Sequence, residues 1–407
     1  MAFISATAQH KLRLTVLVSL CVFLLTGCTQ QLAQRSQNNW LSQNQSQTLF
    51  KASLDGIEGP LQGNVTTVLS GYLESGAIGE LSGLAPSISN PGVFWAINDS
   101  GNRAELFALD RTGRHIKTFR LPALNVDWED LASFHADGKS WLAIADTGDN
   151  LRRRSEAALH ILQEPVLHSP GLHQPKAKEA ESTDPVSPEP VRFAHHYTSQ
   201  NGSVSEAVAE PEIAAATSAA TISTAVSNAA SNTVSVAAKT TTLAVHSTIR
   251  FGYEDGPQNV ESIAVSSADQ SIYLVAKRGP QSAIYRLPLT LETPAEPLMA
   301  EQLGKTTGLR WAEDDSWLEK RLGTHFLLGP TAMDISVDDQ LAVIANYRHL
   351  YLYRKRQGQS WAEALRGEPR MISSHRMAQS ESVAFSANAD YILVGSEGLH
   401  APVLLVR

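Results

Sequence analysis

Four glutamates recur at the head of similar segments. Glu80-Leu-Ser-Gly-Leu-Ala, Glu129-Asp-Leu-Ala, Glu261-Ser-Ile-Ala and Glu381-Ser-Val-Ala begin them, and Thr331-Ala-Met-Asp begins a weaker one. Each head is followed 10 to 15 residues later by an apolar run that ends in polar residues: Asn98-Asp99, Asp146, Lys277, Asn346 and Glu397. Carboxylates and amides offer hard oxygen ligands, which suit Ca²⁺ or Mg²⁺ rather than zinc. Brought together without a cation they repel, unless Lys277 or hydrogen-bond donors offset the charge. Two readings follow for Glu80, Glu129, Glu261, Glu381, Asp99, Asp146 and Glu397. They ligate a divalent cation, with Lys277 and Asn346 beside them, or they cap turns and bond to neighbouring backbones. A metal-assisted hydrolase would also need an activated water and a base, and any of these carboxylates could supply the base.

The elements that must position these residues read as β. The apolar runs are short and bounded by Gly, Pro, Asn and Asp: Val93 to Ile97, Leu106 to Leu109, Trp141 to Ala145, Ile272 to Ala276, Leu341 to Ala345 and Tyr391 to Val394. No long stretch keeps a helical period. The heads recur 49 residues apart from Glu80 to Glu129 and 50 apart from Thr331 to Glu381. The 132 residues from Glu129 to Glu261 fall to about 50 once a biased stretch of 80 is set aside. Several short strands per unit at this period predict an all-β β-propeller. Five units are visible. A strand from Val65 to Tyr72 precedes them and could close the ring by completing the last. Six blades is the alternative, with further strands between Glu261 and Thr331, and a β-sandwich is the competing fold. In a propeller the inner strands line a central channel, so the repeated acids would converge at its mouth.

The biased stretch spans 166–245. Its first half is rich in Pro, Glu, Lys and Ser, and Ile213 to Val245 is almost wholly Ala, Ser, Thr and Val. Such a sequence has too little bulk to build a core, and disorder is expected. His195-His196 within it reads as an exposed pair. The ordered parts are then 65–165 and 246–407. Asn98-Asp-Ser-Gly-Asn102 and Asp146-Thr-Gly-Asp-Asn150 are strong turn signals but lack the spacing of an EF-hand loop. Trp95 and Trp128 read as packing residues. No Gly-x-Ser-x-Gly elbow, His-Glu-x-x-His helix or phosphate-binding loop occurs, so standard serine hydrolases, zincins and NTPases are unsupported.

At the N-terminus Lys11 and Arg13 precede the apolar run Leu14 to Leu25, which is too short to span a bilayer. The run ends in Leu25-Thr26-Gly27-Cys28. This resembles the lipobox of bacterial lipoproteins, and implies a signal peptide over 1–27, lipidation of Cys28 and a membrane partner through the lipid. Thr29 after the cysteine implies the outer membrane. A Gln-, Asn- and Ser-rich tether over 28–64 follows. The chain carries a formal net charge of −8, and removing Lys11 and Arg13 makes it about −10. That argues against nucleic acid as a partner. Cys21 leaves with the signal and Cys28 takes the lipid, so the remainder must hold together without disulfides.

Trp95-Ala-Ile-Asn-Asp-Ser-Gly-Asn, Asp127-Trp-Glu-Asp-Leu-Ala, Ala145-Asp-Thr-Gly-Asp-Asn and Tyr253-Glu-Asp-Gly-Pro-Gln-Asn-Val-Glu-Ser-Ile-Ala resemble segments of a largely uncharacterised group of secreted bacterial propeller proteins. The final Ser396-Glu-Gly also fits. More distantly, the Glu-x-x-Ala heads look like those of esterase-like phytase and gluconolactonase-type propellers. That resemblance implies acids and amides holding a divalent cation at the channel mouth. Thr331 in place of a glutamate, and the long insertion, depart from the pattern. Two functions are expected to compete: a binding module for a small ligand, a glycan or another envelope protein, and a cation-dependent hydrolase of a phosphoester or lactone. The anchoring expectation is tested directly by Cys28→Ala. It should leave the membrane fraction or accumulate as unprocessed precursor, as read by fractionation and mass spectrometry. Normal processing with unchanged membrane association would overturn it.

Overall fold

The computed structural model describes residues 50–54, 61, 63–167, 241–321, 325–375 and 377–407. The segment containing Cys28, most of the 28–64 tether, His195-His196 and most of 166–245 lie outside the described residues.

Strands β1 (Phe50–Leu54) and β2 (Gly63–Tyr72) come first. A first antiparallel sheet follows from β3 (Leu81–Pro86), β4 (Val93–Asn98), β5 (Glu105–Asp110) and β6 (His115–Arg120). The second contains β7 (Trp128–Ala136), β8 (Lys139–Asp146) and β9 (Ala157–Gln163). After the two-residue β10 (Thr241–Thr242) it is completed by β11 (Ser247–Tyr253). The third is β12 (Val260–Ser266), β13 (Ser271–Ala276), β14 (Ala283–Pro288) and β15 (Leu298–Lys305). Helix α1 (Trp317–Arg321) leads into the fourth: β16 (Ala332–Ile335), β17 (Leu341–Ala345), β18 (His349–Arg354), helix α2 (Trp361–Leu365) and β19 (Arg370–Ser374). The fifth is β20 (Ser380–Phe385), β21 (Ile392–Ser396) and β22 (Pro402–Val406). Its fourth strand is β2, from the start of the chain, antiparallel to β22 from Thr67↔Val406 to Tyr72↔Pro402. The segment between Glu261 and Thr331 holds the rest of the third sheet and α1, with no further sheet among the described residues.

The fold is an all-β propeller, and its closure is visible in the packing. Inner strands touch in the cyclic order β3, β7, β12, β16, β20 and back to β3. Among the described residues the apolar core falls into five clusters, each between two neighbouring sheets. One joins Trp95 and Leu106 of the first sheet to Trp128 and Leu142 of the second. Another joins Leu84 and Phe94 to Leu393 and Val403 across the closing seam. A strand buried on both faces is mostly apolar or small, and β3, β12 and β20 are buried at every position, with Glu261 and Glu381 the departures in β12 and β20. Gly83 marks how close the inner strands come: a Cβ there would lie 2.8 Å from the Leu131 nitrogen. Outer strands have one wet face, and β6 and β15 are mostly exposed or half-buried, with Phe119 and Ala300 turned inward. Their edges are covered. β10 adds to β6, β1 adds to β2, and Phe251–Tyr253 of β11 pair in parallel with Leu298–Ala300 of β15. At the ends of the biased stretch, Leu167, Leu243 and Val245 are half-buried against the cluster between the first two sheets.

Two carboxylates are buried among the inner strands. Asp130 accepts N–H bonds from its own strand at Leu131 (2.8 Å), from Ile263 on β12 (2.8 Å) and from Met333 on β16 (3.2 Å). Asp334 accepts from Phe385 on β20 at 2.8 Å. Together they tie four of the inner strands across the axis. Burial raises both carboxyls, that of Asp334 to about 8, against backbone donors that favour the charged form. An acid whose folded pKa lies above its unfolded value of ~3.9 stabilises fully below that value. The contribution is lost as pH rises through about 8. The melting temperature in EDTA should therefore fall between pH 5 and 8.5. Asp334→Asn keeps an acceptor for Phe385 and should show a shallower fall by differential scanning fluorimetry. Identical slopes would overturn this account of Asp334.

Candidate functional site

The repeated acids stand where they do because four inner strands carry a bulge at the same place. Register slips by one residue between Leu81 and Gly83, Trp128 and Asp130, Val260 and Ser262, and Ser380 and Ser382. The extra residues are Ser82, Glu129, Glu261 and Glu381. A bulge frees one residue from the ladder and re-aims its side chain. Above each bulge the amide following the second strand bonds to the carbonyl two residues before the bulge. These bonds run from Asp99 to Glu80, Thr147 to Asp127, Lys277 to Asn259 and Glu397 to Gln379. In the fourth sheet Ala332 pairs with Ala345, which puts Thr331 and Tyr347 at the corresponding places.

This correspondence corrects three assignments from the repeat. The first-sheet counterpart of Glu129 is Ser82, and Glu80 corresponds to Asp127. Asp146 and Asn346 each stand one residue short of the ring, whose members are Thr147 and Tyr347. Successive side chains in a strand point to opposite faces, so a slip of one residue changes the partners altogether. Asp146 is engaged by the Arg154 guanidinium at 2.8 Å, with His160 4.0 Å away. Burial works against its charge, but His160 and Arg154 outweigh it and its pKa falls. The Asn346 side chain accepts from the amides of Arg348 (2.8 Å) and His349 (2.7 Å), shaping a turn. Trp95 and Trp128 are fully buried, as packing residues should be.

The other predicted residues form one electrostatic cluster. Asp99, Asp127 and Glu129 each place a carboxylate oxygen within 4.8 Å of the others. Burial lifts Glu129 well above the usual range, and the charges of Glu261, Asp99, Asp127 and Glu381 add to it. Burial likewise brings Asp99 to about 6, helped by Asp127 and Glu381, and raises Asp127. Glu397 rises to about 10 through burial and the adjacent Glu381, with Asp99 and Glu80 contributing. Glu80 is exposed at the edge and accepts from Asn102. Gly148 makes room for the trio: a Cβ there would overlap the Glu129 and Asp127 carboxylates. Among the described residues no Lys or Arg forms an ion pair with Asp99, Asp127 or Glu129.

The opposite side of the mouth carries its own cation. Lys277 pairs with Glu261 and lies 3.7 Å from Glu381. It also donates to the Tyr347 hydroxyl at 2.7 Å, and that hydroxyl donates to Glu381 at 2.6 Å. Asn259 donates to Glu261 at 2.9 Å. Burial opposes the charge on Lys277, but Glu261 and Glu381 outweigh it and hold the ammonium on. Burial carries Glu261 to about 7 despite that neighbour. Beside them opens a depression of about 420 Å³, lined by Asn150, Arg152, Asn259, Lys277, Arg278, Phe326 and Tyr347. Sequence reasoning missed Asp127 and Tyr347 as mouth residues. Asp127 was legible as a carboxylate two residues before Glu129, while Tyr347 had no signal beyond its place after a strand.

No family model matches the chain, and no curated protein matches it.

The division of the mouth predicts how it fails. Lys277→Met should leave Glu261 and Glu381 buried without a counter-charge, at a cost of about 3 kcal/mol. Burial carries Glu261 to about 7, so it is protonated at pH 5 and charged at pH 8, and urea unfolding should show a larger loss at pH 8 than at pH 5. Glu261→Gln in the Lys277→Met background should recover part of the loss. An equal loss at both pH values would show that Lys277 acts through packing alone.

Proposed function

We propose that this chain is a lipid-anchored binding module whose channel mouth holds a divalent cation, Ca²⁺ or Mg²⁺, and with it a small polar ligand in the adjoining depression. The observation that carries the reading is the trio Asp99, Asp127 and Glu129, gathered within 4.8 Å with no cationic side chain among the described residues ion-paired to any of them. Hard oxygen donors from two segments of the chain, Asp99 and Asp127-Trp-Glu129, suit such an ion. Burial first, and mutual repulsion with it, lifts these carboxyls, and a bound cation would offset both. The ligand pocket supplies amides, guanidinium groups and an aromatic edge, a mixture suited to polar recognition. In this reading the Cys28 motif supports lipid anchoring at the bacterial outer membrane, with the 28–64 segment as the link to the propeller.

A second reading, a cation-dependent hydrolase of a phosphoester or lactone, is favoured by Asp99. Its carboxyl at about 6 is poised for proton transfer near neutral pH. Calorimetry on the full chain in nanodiscs tests the first reading. Ca²⁺ or Mg²⁺ should bind in the micromolar to millimolar range. At a hundredfold excess over Kd the melting temperature should rise on the order of 5 °C. Asp127→Asn should abolish most of the response, and Ser70→Ala on the outer strand β2 should leave it intact. No heat and no thermal shift at millimolar cation would overturn the site. Cation-dependent turnover of chromogenic esters, phosphoesters or lactones that Asp99→Asn removes would favour the second reading.

A further inference from the structure

The depression of about 420 Å³ beside Lys277 is of small-molecule size, and its hydrogen-bonding groups are one-sided. Its side-chain acceptors are already engaged. Glu261 fixes Asn259 by accepting from its amide NH₂ at 2.9 Å. That NH₂ also donates to the Asn150 oxygen at 3.2 Å, and the Asn259 oxygen accepts from the Asp149 amide at 2.8 Å. The Tyr347 hydroxyl accepts from Lys277 and donates to Glu381. What the lining has left is donors: the NH₂ of Asn150 and the guanidinium groups of Arg152 and Arg278.

The charges are one-sided too. Lys277 is offset by Glu261 and Glu381 and brings no spare charge. Arg152 and Arg278 form no ion pair among the described residues. Arg278 donates to the Gln258 oxygen at 2.5 Å, a neutral acceptor. Gln258 is buried, and its own NH₂ is spent on Asp255 and on the Gly256 carbonyl, each at 3.0 Å. It therefore aims the guanidinium without neutralising it, and Asp255 is itself engaged by the Tyr285 hydroxyl at 2.7 Å. Arg152 stands on a tight turn, its amide bonded to the Asp149 carbonyl at 2.8 Å. Two unpaired guanidinium groups lining one depression repel, and an oxyanion that accepts from both removes the repulsion. A cation gains nothing there. A neutral sugar, whose hydroxyls must also donate, finds no free side-chain acceptor. Phe326, 64% exposed, adds an apolar wall.

We propose that the depression binds a small organic anion: its carboxylate or phosphate head accepts from Arg152, Arg278 and Asn150, and its apolar body lies on Phe326. This rests on the reading of the depression as the ligand site, not on the cation held by Asp99, Asp127 and Glu129. The formal net charge of −8 repels anions at long range. At physiological salt that field is screened within about 8 Å, so the two guanidinium groups decide at contact.

Calorimetry on the full chain in phosphatidylcholine nanodiscs tests this, in metal-free Tris buffer with empty discs as the blank. Phenyl phosphate and benzoate are the anionic probes. Benzyl alcohol and benzylamine carry the same ring without the negative charge. At least one anion should bind in the micromolar to millimolar range, and the tighter of the two identifies the head. Arg152→Gln and Arg278→Gln should each weaken it roughly tenfold, the loss expected for one charge-assisted contact. Phe326→Ala should weaken the ring-bearing anion more than its ringless counterpart, inorganic phosphate or acetate. All three positions are exposed, so folding should survive, and circular dichroism checks this. Arg114→Gln removes the same charge in the β5–β6 turn, at the other end of the strands, and should change nothing. Binding of neither anion, equal binding of benzyl alcohol or benzylamine, or wild-type affinity in either arginine variant would overturn the proposal. The buffer holds no divalent cation, so this outcome is independent of the Ca²⁺ and Mg²⁺ titration: either site can fail while the other stands.

Discussion

Rotational repetition is the constraint on which this mouth depends. Whatever residue stands at the bulge of one inner strand is brought close to its counterparts in the others. A single glutamate at a strand head is harmless, but Glu129, Glu261 and Glu381 in one ring repel at short range. The charge is managed in three ways. Ser82 and Thr331 replace the acid in two units, and their hydroxyls bond to the carbonyls of Trp128 and Ser380 in the next unit. Lys277 serves Glu261 and Glu381. Protonation serves Glu397, whose carboxyl stays high beside Glu381. Neither a hydroxyl in place of the acid nor Lys277 reaches Asp99, Asp127 and Glu129, where burial and mutual repulsion raise the carboxyls, and the cation proposal concerns that remainder.

The same geometry governs stability. With both cysteines in the N-terminal 28 residues, no disulfide can staple the ring. Its first and last strands must find each other across most of the chain, and β2 joins β22 through backbone bonds from Thr67 to Tyr72. Such closure is costly in chain entropy and slow to form. The five apolar clusters supply the compensating burial, and each depends on two sheets, so no sheet keeps its full core alone. Asp130 and Asp334 add directional ties where the inner strands are most crowded. A buried carboxyl offers two acceptor atoms at the width of one small side chain, and Asp130 uses them to bind amides on three strands. The same burial makes these ties depend on pH.

Much of this was legible in the sequence. The short runs from Val93, Trp141, Ile272 and Leu341 begin or sit within observed strands, because strands buried on both faces advertise themselves as unbroken apolar runs. The closing strand was also legible. The fourth strands were harder. β6 and β15 keep a wet face and look like polar linkers, and β11 is separated from β9 by the biased stretch. The mouth was legible as a set of acids but not in register. Glu80-Leu-Ser-Gly-Leu-Ala and Glu129-Asp-Leu-Ala share a first letter and a last, yet they differ in length by two. A bulge is a property of pairing between strands, and one strand read alone cannot show which residue has been pushed out. That is why the sequence alone points to Asp146 and Asn346 where strand pairing places Thr147 and Tyr347.

Register also explains where the trio sits. Only the second unit has an acid both at the bulge, Glu129, and two residues before it, Asp127. The third has Asn259 before Glu261, and the fifth has Gln379 before Glu381. An amide at that place donates a hydrogen bond to a carboxylate, and Asn259 does so to Glu261 while Gln379 does so to Glu397. A carboxylate at that place can only accept. Asp127 therefore cannot give Glu129 the hydrogen bond that Asn259 gives Glu261, although Ser100 bonds to Asp127 itself, and the residue after the neighbouring strand is Asp99 rather than a lysine. Gly148 then removes the side chain that would otherwise separate them. The ring is symmetric in backbone and asymmetric in charge, and the asymmetry gathers its unpaired acids between the first two sheets, off the axis.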